Sequence, residues 1–98
     1  MTVIDEIAAE RKRQIEVEGW TAEDDDEEIN GELARAAACY ALFNSEGIDE
    51  QRIAGLWHWS WDWAWWKPTT PRRDLIKAAA LIVAEIERLD RAALEPKS

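Results

Sequence analysis

The residues best equipped for chemistry gather in one place, Trp65-Trp66-Lys67 followed closely by Arg72, Arg73 and Lys77. Thr70 and Pro71 stand between them as an N-cap and a first-turn residue, which predicts that the cations occupy the opening turns of a helix. A helix start already presents free N–H groups and the positive end of the dipole. Two adjacent arginines oppose that dipole and need a counterpart. The acidic run Asp24–Glu28 supplies one as ion pairs, and a phosphate-bearing ligand is the other reading. Indoles stack on a base and guanidinium groups clamp phosphate bidentately, so the second reading describes a nucleotide site. Trp65, Trp66, Lys67, Arg72 and Arg73 form that candidate site, with Trp20 as a further stacking face and Arg11 as a further cation.

Carboxylates carry a second possible chemistry. The run from Asp24 to Glu28, with Glu32 and, later in the chain, Glu87 and Asp90, offers the oxygen ligands that Mg²⁺ takes. A solvated acidic face is the plainer reading of the same residues. The lone histidine, His58, has no nucleophile or orienting partner near it in sequence, so no catalytic residue is assigned. The lone cysteine, Cys39, excludes an intrachain disulfide and suits a reducing cytoplasm; with a single histidine it argues against zinc. Its Ala-rich surroundings suit a small buried hydrophobe. No cofactor is expected.

Helices must position these groups. Thr2 with Asp5 opens the first, about residues 3–18, with Ile4, Ile7, Ala8 and Ile15 on one face and Gly19 at its end. A polar connector leads to the second, about 31–43, capped by Asn30 or Asp26, whose alanines permit close approach and a central place. Asp49 to Leu56 predicts a short helix with Ile53 and Leu56 inward. The last runs over about 71–93. In it Leu75, Ala79, Ile82, Ile86, Leu89 and Ala93 recur at 4-3-4-3-4 spacing as a core stripe, with Ile76, Ala80 and Val83 beside it. Two stripes bury more than one neighbour, and a second subunit suits the extra face.

Six of the seven tryptophans lie between residues 57 and 66. Their alternation from Trp57 to Trp65 would set five indoles on one side of an extended segment. Pro68 and Pro71 break any helix there. The expectation is an all-α domain of three main helices, with a Trp-rich irregular loop packed across them and a frayed tail at about 95–98.

At 98 residues the chain reads as one domain, small enough for a homo-oligomer to be expected. A net charge of −9 argues against nucleic acid and anionic membranes as partners. With no leader and no long apolar segment, the expected location is the cytoplasm.

Glu10-Arg11, Gln14-Ile15, Glu18-Gly19-Trp20-Thr21, Asp25-Asp26, Gly31-Glu32-Leu33, Ala36-Ala37 and Tyr40 resemble a family of small phage and prophage proteins. Trp65-Trp66-Lys67-Pro68, Arg72-Arg73-Asp74-Leu75, Lys77-Ala78 and Ala84-Glu85-Ile86-Glu87-Arg88-Leu89 continue the likeness over nearly the whole chain. The resemblance implies a phage context, in the host cell cytoplasm, and an action on host machinery. One such action is sequestration of nucleotide immune signals by symmetric oligomers, a sponge for an ADP-ribose-like molecule or a cyclic nucleotide. The run Ile15–Trp20 with Asp25-Asp26 is similar to the core of ryanodine-receptor-type repeat domains, which implies ligand binding. MazG-type all-α nucleoside triphosphate pyrophosphatases share an acidic helical signature. Glu87 and Asp90 match its spacing, while Glu28 and Glu32 are four apart instead of three. That likeness implies Mg²⁺-dependent hydrolysis through these four carboxylates. A third reading makes the Trp-rich loop a protein-interaction surface.

Overall fold

The computed structural model describes residues 1–58 and 61–94. Among them the chain is all-α: α1 (Val3–Glu16), α2 (Ala22–Asp26), α3 (Glu32–Leu42), α4 (Glu50–Leu56) and α5 (Pro71–Leu94), with a 3-10 turn at Trp63–Trp65 before α5. The three expected main helices are present, displaced by at most two residues at their ends. None of the helices is long and apolar enough to cross a membrane.

Local chemistry explains the boundaries. Thr2 and Asp5 form a reciprocal capping box on α1, and Thr21 with Asp24 repeats it on α2. The second box nucleates a short helix inside what the sequence suggested was a polar connector. α3 starts at Gly31, whose φ of +83° only glycine adopts without strain, so neither Asn30 nor Asp26 is its cap. Asp49 caps α4 as expected. Thr70 accepts the Arg73 amide at 3.2 Å, and Pro71 follows as the first residue of α5.

The most extensive packing joins α3 to α5. Alanines 36 and 37 with Cys39 bring α3 close to Ala78, Leu81 and Ala84 of α5. Ile53 of α4 is completely buried, whereas Leu56, expected inward, is exposed.

Two expected core stripes are not core. On α5 it is Ile76, Ala80, Leu81 and Ala84 that are buried; Leu75, Ile82, Ile86 and Leu89 remain 49–56% exposed. The reason is geometric. α3 has 11 residues against 24 in α5 and covers only the alanine-lined side. On α1, Ile4 is 72% exposed, and the buried residues are Glu10, Arg11 and Gln14. Charge neutralisation makes that inversion possible: Glu10 pairs with Arg13 and Arg73, and Arg11 with Asp25 and Glu87.

The Trp-rich stretch is not a one-sided extended wall. Asp62 accepts the Ala64 amide at 2.9 Å and so holds the turn that redirects the chain. Trp57 is buried, with the rings of Trp61, Trp63 and Trp66 edge-on at 5.6–6.0 Å. Trp66 also contacts Tyr40 at 4.6 Å and Phe43 at 5.2 Å. Trp59 lies outside the described residues, as does the tail from 95 to 98.

Candidate ligand cleft

A cleft of about 300 Å³ opens between α1, the segment from Trp65 to Thr69 and the start of α5. Its floor is built around Tyr40 of α3. The Tyr40 hydroxyl accepts the Lys67 amide at 3.0 Å and donates to the Trp65 carbonyl at 3.3 Å, which fixes the loop against the helix layer. Burial raises the Tyr40 pKa, so this phenol remains a donor. Lys77 crosses the Tyr40 ring at 5.7 Å and donates to the Lys67 carbonyl at 2.8 Å and to Thr69 Oγ1 at 3.2 Å. Desolvation lowers the Lys77 pKa against the opposing pull of Asp74 and Glu10.

The α1 wall is polar. Glu10 is fully buried; burial pushes its carboxyl up, but hydrogen bonds from Arg13 and Arg73 prevail and hold it below the ordinary value. Gln14 is also buried, and its Nε2 donates to Glu10 Oε2 at 3.3 Å. Its Oε1 meets no hydrogen-bond partner among the described residues. Farther out, Glu18 accepts from Arg13 at 3.0 Å and from Lys67 at 3.2 Å. Trp20 and Trp65 close that end with ring centres 6.2 Å apart.

The balance of charge in the cleft is opposite to that of the chain. Arg13, Lys67, Arg73 and Lys77 line it against two carboxylates, Glu10 and Glu18, within a protein of net charge −9. Such a pocket concentrates positive potential where the rest of the surface is negative.

Trp20, Trp65 and Glu18 also border a second recess of about 340 Å³, lined by Asp24, Asp25, Glu27 and Glu28 with Trp61. Here Glu28 is pushed up to about 7, by burial first and then by Glu32, which is itself held down; Glu28 retains the shared proton.

Of the residues singled out in the sequence, Trp20, Trp65, Lys67, Arg73 and Lys77 meet in the first cleft. Trp66 lies behind it in the core, 7% exposed. Arg72 points away and makes a bidentate pair with Glu6 at 2.7 Å. Arg11 is buried on α1 between Asp25 and Glu87, both at 3.0 Å. The pairing of the Arg72–Arg73 cations with the acidic run is contradicted: α1 supplies their partners, while Asp25 and Asp26 engage Arg11 and Arg91. The reason is position, since α2 packs beside the far half of α5, where Arg91 lies. Among the carboxylates considered for Mg²⁺, Glu28 and Glu32 lie against each other and Glu87 is held by Arg11. No three His, Cys, Asp or Glu side chains among the described residues come together as a metal cage.

Sequence reasoning passed over Gln14, Tyr40, Glu10 and Arg13 as cleft residues. A signal for three of them existed: 10, 13 and 14 follow helical spacing and mark a polar stripe on α1. No family model, curated protein or solved structure matches this chain.

Proposed function

We propose that this cleft binds, without transforming it, an anionic nucleotide-type molecule, and that the protein acts as a phage or prophage sponge for such an immune signal in the host cytoplasm. The observation that carries the reading is the excess of cations in a cleft of an acidic chain, next to two indoles. Lys67, Arg73 and Arg13 meet phosphate oxygens, exchanging part of their pairing with Glu18 and Glu10. Trp65 and Trp20 take the base. Gln14, on the α1 wall, offers Oε1 to a ribose hydroxyl or a base N–H only after its buried side chain turns toward the cleft. A volume of about 300 Å³, at the small end for ligand pockets, suits one nucleotide unit, either a cyclic nucleotide or one half of an ADP-ribose-like molecule.

Titration with ADP-ribose and with cyclic mono- and dinucleotides, followed by tryptophan emission, tests this. The expected result is saturable quenching by one of them, recovery of the ligand unchanged, and at least tenfold weaker binding by Lys67→Ala. Absence of any response at millimolar ligand overturns it.

A further inference from the structure

The exposed stripe on α5 has a pattern of its own. Leu75, Ala79, Ile82, Ile86, Leu89 and Ala93 alternate by four and three residues, and no charged residue interrupts them. Leu75, Ile82, Ile86 and Leu89 are each about half exposed, at 49–56%. At 100° per residue this seam lies on the far side of α5 from Arg73 and Lys77, and so from the cleft. Spacing of this kind is that of helices that pack knobs into holes.

The order of large and small residues selects one partner and one direction. Run antiparallel about a two-fold axis near position 84, Leu75 faces the partner subunit's Ala93, and Ala79 faces the partner subunit's Leu89. Ile82 then faces the partner subunit's Ile86. Each leucine meets an alanine, and the two β-branched isoleucines meet each other. Run in parallel, Ala79 and Ala93 would each face themselves and leave gaps that packing does not tolerate. A surface that complements itself under a two-fold axis is the signature of an isologous interface.

Charge permits the same arrangement. Glu85 flanks the centre of the seam, where its symmetry copy approaches, and Arg88 already neutralises it within the protomer. A seam of four half-exposed aliphatic side chains is a narrow contact beside the ~800 Å² per partner of a standard interface, which makes the dimer a reversible one.

We infer that α5 pairs with α5 of a second copy, antiparallel, to form a reversible homodimer whose two ligand clefts face outward. The pairing does not depend on what the cleft binds.

Sedimentation equilibrium from micromolar to millimolar protein tests the dimer, and disulfide trapping tests its direction. Dimer mass is expected for the native chain, and monomer mass for Ile82→Glu with helical circular dichroism retained. A native chain that stays monomeric throughout overturns the inference, as does dimer mass in a folded Ile82→Glu. Mixing Ala79→Cys with Leu89→Cys should trap a mixed disulfide dimer, while Ala79→Cys alone should not. Efficient trapping of Ala79→Cys with itself would mean parallel pairing and would also overturn it. Should Ile82→Glu fail to fold, the cysteine pair decides alone, because both sites are surface positions on α5.

Discussion

The Lys67 amide donates to the Tyr40 hydroxyl at 3.0 Å, so a single phenol on α3 holds the stretch of chain that carries the cleft's one loop cation. Its second bond, to the Trp65 carbonyl, makes Tyr40 the fastening between the helix layer and the Trp-rich turn.

Tyr40→Phe keeps the ring contact with Trp66 but leaves both loop groups without their partner. The expected cost is about 1–2 kcal/mol, read as a lower midpoint in urea with an unchanged slope. Amide exchange at Lys67 should accelerate with it.

Gln14 should separate stability from binding. Gln14→Leu removes a buried carbonyl oxygen with no partner among the described residues but also the Nε2 bond to the buried Glu10 carboxylate at 3.3 Å, so the two effects oppose and stability should change by less than about 1 kcal/mol. If the cleft takes a ligand through Gln14 Oε1, affinity falls at least tenfold in the same variant. A calorimetric scan and a titration on one preparation read both.

Arg11→Met tests the buried pair with Asp25. Removing one partner strands a carboxylate that is 3% exposed, and a loss of about 3–5 kcal/mol is expected. The double variant Arg11→Met, Asp25→Asn should recover much of it. Chemical denaturation of the single and double variants checks the coupling.

Glu28 gives the protein a pH dependence of definite sign. Its folded pKa of about 7 exceeds the ordinary 4.5, so its contribution is full below 4.5 and is lost as pH rises through 7. For this partly buried group the loss amounts to roughly 1–2 kcal/mol. Glu10, held low, acts in the opposite direction: its contribution is present above 4.5 and disappears on further acidification. Melting temperature against pH should decline between 4.5 and 7, and Glu28→Gln should flatten that decline.

What the sequence discloses follows a physical line. Caps and helix stops are local, and Thr2, Asp49, Thr70 and Pro71 act within four residues, so the main helices were legible. Which face of a helix is buried is a property of its neighbours. The apolar stripes of α1 and α5 were visible, but that α3 would dock on the alanine side of α5 was not. The cleft was legible where its residues adjoin in sequence, at Trp65, Lys67 and Arg73. Glu10 and Gln14 come to it from more than fifty residues away, through charges compensated only in three dimensions.

Seating α1 through ions instead of hydrocarbon has an effect on how the molecule comes apart. Buried ion pairs are little screened by salt but yield to acid once Glu10 takes up a proton, whereas the aromatic and alanine packing of α3, α5 and the Trp turn does not. The amino-terminal segment is thus a latch on a firmer body: acidification below the Glu10 range should loosen one wall of the cleft while the opposite wall, anchored by Tyr40, keeps its shape.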